Sequence, residues 1–487
     1  MNYIKYAVIA FATLIVAAGC NKEKEPTIEV DQYALYFSDW GAPSQTISFT
    51  TTNAVRVAMV SISDGFDCFI DNNSKKIVVT PSGKEDGKND ELPREGTLHV
   101  NALSKKGDTA GQTIYLYICD EVKLDANGTY ANSYVVTTPN VKYSFEANVR
   151  PDGSQLNTKS AKLLWQNQTD VINNVNYFDG NISFFVNPSY EDASKAPNAN
   201  GVIAAYDANG NVVWSWHIWV TDNDPTKSVA NYSNGATFMT RNLGAYTNSE
   251  ASEDTDKIYD SYGLYYQWGR KDPFARPRSY DCSGGDGETI YSSENIYYTT
   301  EESVETSAST GTVAYAIANP MCYITNAQCI EEGGDGVGDW LAVADNSLWG
   351  DAEKNLLNDP CPYGWRVPSA SDFADLRLTD SEDALDLNTA RKRYGWWLND
   401  GVNNFFYNAC GYRRYNDGKI QNVNYHPSYP SVPEPWEGHY WTSTTNSDGS
   451  AVSLYFDLTT TRTINKFQNN KPARRANGMQ VRCVKIK

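Results

Sequence analysis

The sequence predicts a mainly β protein with an α+β C-terminal part. Over the first half of the chain, short runs rich in Val, Ile, Thr, Tyr and Phe recur between turn signals. An Asn-Gly pair at 209–210 separates two such runs, a spacing typical of a β-hairpin. After residue 229 the composition shifts towards Gly, Asn, Ser, Tyr and Trp, with longer loops and a helix-capping pattern. Because 487 residues exceed one ordinary core, several domains are expected.

The N-terminus carries the pattern of an export segment. Lys5 precedes an apolar run over residues 7–18, which is too short to span a bilayer as a helix and has the form of a signal-peptide core. Residues 17–20 (Ala-Ala-Gly-Cys) resemble the lipobox of bacterial lipoproteins, although Leu is usual at the first of these positions. The resemblance implies a signal peptide over residues 1–20 and lipidation of Cys20, whose acyl chains, palmitate among them, hold such proteins at a membrane. An ordinary cleaved signal with an incidental cysteine is the alternative.

The charged residues after Cys20 indicate a cellular location, and the net charge of the chain excludes one class of partner. Residues 21–26 follow as a charged tether, and an acidic stretch at this place resembles the surface-export signal of Bacteroidetes lipoproteins. That resemblance implies an outer-membrane location, lipid-anchored and facing the cell exterior. The net charge of −18 and a pI near 4.7 repel a phosphate backbone, so no nucleic-acid partner is expected.

Residues 27–121 are predicted to form an immunoglobulin-like β-sandwich, because several short strand signals follow one another at close spacing. The predicted strands are 34–37, 45–51, 56–62, 76–80, 96–101 and 113–118. An early Leu-Tyr-Phe strand, a Thr-rich second strand and the closing strand together resemble the BACON module of Bacteroidetes. The resemblance implies either a spacer or a carbohydrate- or mucin-binding module.

A second β-sandwich is predicted over residues 122–222. Its predicted strands are 133–136, 142–147, 162–166, 182–186, 202–206 and 212–220. In the last strand, Ser215, His217 and Trp219 share the face opposite to Trp214 and Trp216. One face is expected to be core. The other is either a platform on which a sugar ring stacks, with Trp219 and His217 as binding candidates, or a seam against the next domain. His217 is expected to be a hydrogen-bonded structural residue rather than a base, because no partner carboxylate can be assigned to it.

Residues 223–487 hold an ordered set of landmarks. They are RNLGA at 241–245, GLYYQWGR at 263–270, PCPYGWRVPS at 360–369, GYR at 411–413, YWTST at 440–444 and GMQVRCVK at 478–485. This set resembles the Fibrobacter succinogenes major paralogous domain, a family similar to the C-type-lectin-like and formylglycine-generating-enzyme folds. The resemblance implies that fold here and a disulfide between Cys361 and Cys483. Within the third landmark, Ser369 and Asp372 form a capping-box pattern that predicts a short amphipathic helix.

The remaining cysteines leave alternatives open. Eight cysteines follow Cys20, an even count typical of disulfides in an oxidising compartment. Besides Cys361 and Cys483, the pairs considered are a local clip between Cys322 and Cys329, a bridge within the first sandwich between Cys68 and Cys119, and Cys282 with Cys410. Cys68 and Cys119 can instead be inert buried thiols, and Cys282 and Cys410 can stay free.

Two kinds of loop feature are candidate ligand sites. Residues 333–339 (GGDGVGD) form an acidic glycine loop, in which Asp335 and Asp339 can hold Ca²⁺ together with backbone carbonyls. The loop lacks the EF-hand spacing, so a flexible surface turn is the alternative, and no other cofactor is expected. Tyr280, Tyr425 and Trp436 lie in Asn-, Ser- and Gly-rich stretches, where exposed rings can stack on sugars. The alternative is that these rings pack the loops themselves.

The sequence contains no GxSxG, HExxH, Walker A or GxGxxG motif, so no enzyme activity is expected. Formylglycine-generating chemistry needs paired redox-active cysteines that hold copper, whereas Cys361 and Cys483 look structural. We expect a cell-surface lipoprotein with a non-catalytic binding role, either glycan binding or adhesion, whose partner is a glycan or a surface protein. Residues 214–219 joined to 241–245 also resemble the layout of fimbria-associated lipoproteins of Bacteroides. The alternative is therefore a structural or accessory subunit of a fimbria-like assembly, and a polysaccharide hydrolase is less favoured.

Overall fold

A computed structural model describes most of the chain after the N-terminal segment. The described residues are 25–83, 94–281, 285, 287–293, 297–298, 302–327, 338–378, 387–423, 436–458 and 466–487. Residues 25–35, 40–83 and 96–116 form the first of two compact units, and residues 36–39, 94–95 and the described part of 117–487 form the second. Cys20, the proposed lipidation site, lies outside the described residues. Within them, no helix is long and apolar enough to cross a bilayer.

The N-terminal strands form two four-stranded sheets, in the orders β1-β3-β6-β5 and β2-β8-β7-β4. They are β1 (Thr27–Val30), β2 (Ala34–Phe37), β3 (Gln45–Thr52), β4 (Arg56–Ile62), β5 (Phe66–Asp71), β6 (Lys76–Pro81), β7 (Arg94–Leu103) and β8 (Thr109–Ile118). In β3, Ile47 and Phe49 are buried while Thr46 and Ser48 are exposed, so the alternation in the sequence reports the inward face. All six strands predicted here are confirmed. The strands β1 and β5 are additional.

The second unit begins with two further sheets, in the orders β13-β14-β11-β9 and β10-β16-β15-β12-β20-β21. Their first strands are β9 (Glu121–Lys123), β10 (Ser133–Val136), β11 (Lys142–Glu146), β12 (Ser160–Gln166), β13 (Ile172–Phe178), β14 (Asn181–Val186), β15 (Ala199–Tyr206) and β16 (Val212–Val220). The predicted hairpin joins β15 to β16. Its turn is closed by the hydrogen bond from Asp207 N to Asn211 O (2.9 Å), with Gly210 at a φ of 81°.

Many short strands follow. They are β17 (Val229–Asn231), β18 (Thr237–Met239), β19 (Tyr265–Gln267), β20 (Ile290–Tyr291), β21 (Tyr297–Tyr298), β22 (Ser303–Glu305), β23 (Tyr323–Thr325), β24 (Trp365–Arg366), β25 (Arg377–Leu378), β26 (Gly395–Asn399), β27 (Asn404–Asn408), β28 (Tyr412–Arg413), β29 (Ile420–Gln421), β30 (Glu437–Thr445), β31 (Ala451–Asp457), β32 (Phe467–Ala473), β33 (Gly478–Gln480) and β34 (Val484–Lys485). Within the described residues, the α-helices are α1 (Thr255–Asp260), α2 (Val313–Ala318) and α3 (Leu387–Lys392), and single 3₁₀ turns occupy Ala126–Gly128 and Ala370–Phe373. The protein is therefore mainly β, with its helices in the C-terminal part, as predicted.

One core continues from the sheets of residues 121–220 into the later part of the chain. Trp165 and Trp219 belong to the same buried cluster as Trp268 and Trp441. The strand β20 also extends the β12 sheet through the pairing of Gln166 with Tyr291. Residue 222, near which a domain boundary is predicted, lies inside the second unit, and the boundary itself stays a prediction.

Cys361 and Cys483 form a disulfide, as the family resemblance implied. The strands β24 and β34 pair antiparallel, with Arg366 opposite Val484, and this pairing brings the two cysteines together. Both are fully buried, and the bond closes a loop over a sequence separation of 122 residues. It therefore ties the last strand to a segment far upstream.

The other cysteine pairs considered do not form bonds in the described part of the chain. Cys68 is in β5 of one N-terminal sheet and Cys119 follows β8 of the other; both are free thiols, so the bridge between them is a wrong prediction. Burial raises the pKa of each to about 11. Cys322 is a free, buried thiol, so the predicted clip is not formed; Cys329 lies outside the described residues. Cys410 is likewise free, and Cys282 is outside the described residues.

The capping box at Ser369 is confirmed, although it opens a single 3₁₀ turn rather than a longer helix. The Asp372 carboxylate accepts hydrogen bonds from Ser369 N (2.7 Å) and from Arg366 Nη1 (2.8 Å). Arg366 and Asp372 are both buried, so the cap is also an ion pair that fixes the chain after β24.

Candidate functional site

A cavity of about 510 Å³ opens to solvent beside the β26–β27 hairpin in the second unit. Its walls combine aromatic rings with amide, hydroxyl and guanidinium groups. They include Asn231, Tyr232, Ser249, Trp397, Asn403, Asn404, Phe405, Phe406 and Arg482. We refer to this cavity as the hairpin pocket. Its mixture of rings and hydrogen-bonding groups is what a binding site for a polar ligand with apolar faces requires.

The turn between β26 and β27 positions the exposed amides of the hairpin pocket. The Asp400 carboxylate accepts hydrogen bonds from Val402 N (2.9 Å) and Asn403 N (2.7 Å), and Gly401 supplies the left-handed position with a φ of 95°. Burial by itself would raise the pKa of Asp400, but these N–H groups hold it below its usual range. The anionic turn therefore stays closed at neutral pH, with Asn403 and Asn404 on the exposed side.

A second loop is tied to this hairpin. Residues between β17 and β18 contribute Tyr232, whose ring stacks on Phe405 with a centroid distance of 3.9 Å. The hydroxyl groups of Tyr232 and Tyr407 share a hydrogen bond of 2.5 Å. Ser233 N donates to the Asp400 carboxylate (2.6 Å), and Ser233 Oγ donates to the backbone oxygen of Asp400 (2.9 Å). These contacts hold both walls of the hairpin pocket in a fixed arrangement.

The half-buried rings of the hairpin pocket are Trp397 and Phe405. Trp397 packs edge-on against Phe406, with centroids 5.4 Å apart, so its ring is fixed by a buried neighbour. Asn231, Asn403 and Asn404 are exposed around the rings. A sugar presents C–H faces that stack on aromatic rings and hydroxyls that bond to amides, so this arrangement suits a pyranose ring.

Arg482 is one of the residues that line the hairpin pocket and is only 3% exposed. Its Nε donates to Asn242 Oδ1 (3.0 Å), Nη1 to Phe406 O (3.0 Å) and Nη2 to Ser249 Oγ (2.6 Å). The guanidinium carbon lies 3.9 Å from the centroid of the Tyr407 ring. These contacts hold the guanidinium in a fixed position.

The proposed sugar platform on β16 is wrong. Trp219 has no exposed surface, and its indole N–H donates to Ala245 O (3.0 Å), so the ring belongs to the core. His217 is 2% exposed, with Nδ1 bonded to Ser133 Oγ (2.8 Å) and Nε2 to Asn200 Oδ1 (2.9 Å). Burial lowers the pKa of His217 to about 3, so it is neutral. The expectation of a hydrogen-bonded structural histidine is confirmed, since both ring nitrogens have partners. Other segments cover both faces of β16, so neither face is open to a ligand.

The three aromatic residues predicted to bind a ligand from loops, Tyr280, Tyr425 and Trp436, differ in where the structure places them. Trp436 is only 6% exposed and packs edge-on against Tyr394, with centroids 4.7 Å apart, so it is part of the core and not a binding residue. Tyr280 is half-buried and meets the same Tyr394 ring at 5.1 Å. Tyr280 therefore packs a loop while keeping some accessible surface. Tyr425 lies outside the described residues.

Asp339 forms a buried ion pair with Arg475. It is 5% exposed, its carboxylate contacts Arg475 Nη1 (3.2 Å), and it accepts a hydrogen bond from Leu341 N (3.0 Å). Burial raises the pKa of Asp339 to about 6. Asp335 lies outside the described residues, so calcium at this loop stays a prediction. In the part of the chain that the structure describes, no three His, Cys, Asp or Glu side chains are grouped to hold a metal.

A smaller cavity of about 250 Å³ contains a carboxylate–histidine pair. Glu437 accepts hydrogen bonds from His439 Nε2 (2.8 Å), Asn422 Nδ2 (2.6 Å) and Tyr455 Oη (2.8 Å). Although burial alone would raise it, His439, Lys471 and Tyr455 lower the pKa of Glu437 to about 2. Burial lowers the pKa of His439. A carboxylate with three donors and so low a pKa is a poor general acid or base near neutral pH.

Trp397, Asn403 and Asn404 are not among the sequence-predicted binding residues. The signal that identifies them is the Asp-Gly pair at 400–401, which lies between the aromatic runs at 396–397 and 405–407 and is typical of a hairpin turn. Tyr232 and Arg482 have no such local signal. They reach the hairpin pocket only through tertiary folding.

No protein-family model matches this chain, and no curated protein matches it. Among solved structures, the chain is similar to SGBP-B of the Bacteroides ovatus mixed-linkage glucan utilization locus, in complex with a mixed-linkage heptasaccharide. The identity is 11% and the TM-score 0.12, over 39% of this chain and 43% of that one. It is also similar to the protocadherin GammaB4 extracellular domain, with 11% identity and a TM-score of 0.16 over 41% and 34% of the two chains. The N-terminal four immunoglobulin domains of Dscam1 give 10% identity and a TM-score of 0.13 over 40% and 51%. Each match spans well under two thirds of the other chain, and at these TM-scores the likenesses carry no argument about function.

Proposed function

We propose that this protein binds glycans, without catalysis, through the hairpin pocket. The observation that carries the proposal is the combination of half-buried rings, Trp397 and Phe405, with the exposed amides of Asn231, Asn403 and Asn404 around a cavity of about 510 Å³. Aromatic faces take the apolar side of a sugar ring, and amides take its hydroxyls.

Rigidity supports this proposal. Tyr232 and Phe405 stack on each other, and Ser233 is hydrogen-bonded to Asp400 across the two loops. Because the walls are already ordered, little conformational entropy is lost when a ligand orders against them. An open cavity with walls ordered in this way suits recognition of a sugar ring.

We further propose that the chain is lipidated at Cys20 and displayed at the outer membrane, as the lipobox resemblance implies. A Cys20→Ala variant should lose incorporation of labelled palmitate and should leave the membrane fraction. A variant that stays membrane-bound and keeps the label would contradict this anchor.

Binding can be tested with the full chain on a glycan array, followed by calorimetry with the strongest binder. Trp397→Ala should weaken the affinity about tenfold or more, because a stacking ring at a site centre contributes roughly 1.5–2 kcal/mol. The matched control is Phe178→Ala, which removes a 48% exposed ring from β13. The control should bind as the unaltered chain does.

If the folded chain binds no glycan on such an array, the proposal is wrong. If Trp397→Ala binds the glycan as tightly as Phe178→Ala and the unaltered chain do, the hairpin pocket is not the site. Thermal unfolding of both variants shows whether either loss comes from misfolding.

A further inference from the structure

Arg482 presents a positive charge to the hairpin pocket that no carboxylate of the described chain neutralises. None lies within 4 Å of its nitrogens in the described residues, whereas the buried cations Lys271, Arg276 and Arg366 each contact an acidic side chain. A buried charge is costly unless it is paired. Arg482 is 3% exposed, so its compensation comes from three neutral acceptors and from ring faces.

The donors of Arg482 are only partly used. A guanidinium has five N–H groups, one on Nε and two on each Nη. The single Nε donor goes to Asn242, one Nη1 donor goes to Phe406 O, and one Nη2 donor goes to Ser249 Oγ. The Tyr407 hydroxyl lies within hydrogen-bonding reach of the same guanidinium, so one of the two remaining Nη N–H groups is without an acceptor among the described residues. That N–H group and the hydroxyl of Ser249 can together bond to the two oxygens of a carboxylate.

Ser249 adds a second group at the same place. It is 8% exposed, lines the hairpin pocket, and uses its oxygen to accept from Arg482 Nη2 (2.6 Å). In the described structure its hydroxyl hydrogen has no acceptor, so it can be donated to a ligand oxygen. The nearby aromatic and amide walls fit the neutral part of the same ligand.

We propose that the hairpin pocket recognises an acidic sugar, a uronate or a sialate, whose carboxylate binds Arg482 and Ser249 while its ring packs beside Trp397. This deepens the proposed function and rests on it. The net charge of −18 favours a ligand that carries one exposed carboxylate over a polyanion, because the field of the whole chain repels repeated negative charge.

The test compares acids with their neutral esters on the full chain. The probes are the methyl glycosides of galacturonic acid and glucuronic acid, and sialyllactose. Each carries one carboxylate and is measured by calorimetry as the free acid and as the methyl ester. A charge-assisted, bidentate contact should make at least one acid bind roughly 10- to 100-fold more tightly than its ester. Because the ligand is altered here and not the protein, folding does not enter.

Variants of the protein then test whether Arg482 and Ser249 cause the preference for the acid over its ester. Arg482→Lys keeps the positive charge but replaces the planar guanidinium, and Ser249→Ala removes one hydroxyl. Both variants should lower the ratio of the affinity for the acid to the affinity for its ester. Arg474→Gln is the matched control, because it removes a positive charge that lines the smaller cavity instead, and it should leave the ratio unchanged. Since Arg482 is buried, Ser249→Ala carries the test if the Arg482 variant unfolds.

Equal binding of acids and esters, with glycan binding retained, overturns this inference and leaves the proposed function intact. An acid preference that survives both variants places the carboxylate elsewhere and also overturns it. If neither acid, ester nor neutral glycan binds the folded chain, the proposed function fails as well.

Discussion

Replacing His217 by glutamine should remove an acid sensitivity from the folding of the second unit. The imidazole is 2% exposed and bonded to Ser133 and Asn200 at 2.8 and 2.9 Å. Burial disfavours the charged ring and lowers its pKa to about 3, whereas an unfolded histidine titrates near 6.5. Between those two values the unfolded chain binds one proton more than the folded chain. The folded state therefore loses stability as the pH falls through this window.

The magnitude follows from the two pKa values. From pH 7 to pH 5, protonation of the unfolded histidine lowers the free energy of unfolding by about 2 kcal/mol, out of roughly 4–5 kcal/mol over the whole window. Carboxylates titrate over part of the same range. Their contribution is common to wild type and variant, so it cancels in the difference between the two.

The assay is denaturant unfolding at pH 7 and pH 5. His217→Gln should be less stable than wild type at pH 7, but should lose about 2 kcal/mol less on going to pH 5. Ser133→Ala is the matched control, since it removes one hydrogen bond and keeps the ring; it should be destabilised at both pH values with the wild-type pH dependence. An identical pH dependence for wild type and His217→Gln would refute the reasoning.

Three further predictions concern stability and thiol chemistry. Replacing Cys361 and Cys483 together by alanine should cost about 5 kcal/mol in the chain-entropy limit for a loop over 122 residues, seen as a lower denaturation midpoint. Asp372→Asn should cost about 3–5 kcal/mol because it leaves a buried guanidinium unpaired, while Asp375→Asn, at an exposed neighbour, should change stability by under about 0.5 kcal/mol. Cys410, whose pKa burial raises to about 12, should resist thiol reagents in the folded protein and react after denaturation; rapid labelling of the native chain would contradict this.

The strands were predictable where one face alternates. The predicted run 45–51 appears as Gln45–Thr52, and the predicted run 76–80 appears as Lys76–Pro81. A period of two in apolar residues reports a buried face directly, because successive strand side chains point to opposite sides. The β26–β27 hairpin was missed, although the Asp-Gly pair at 400–401 marks its turn.

The role of each aromatic residue was not predictable in this way. Trp219 and Trp397 both lie in strands beside other tryptophans, yet one is fully buried and the other is half exposed at a pocket. A strand such as β16, with apolar residues on both faces, is compatible with a core strand or with an exposed platform. Which of these it is depends on the segments that pack against it, and those come from distant parts of the chain.

By itself, the sequence determined the β class, most N-terminal strands, the Asn-Gly hairpin, the cap at Ser369 and, through a family resemblance, the Cys361–Cys483 disulfide. These depend on local periodicity or on a recognisable ordered pattern. Only the tertiary structure decided that β16 is core and that a pocket forms beside β26–β27. The physical reason is distance along the chain: Ser249 and Arg482 are 233 residues apart, but both line that pocket and share a hydrogen bond. No local pattern encodes such a contact.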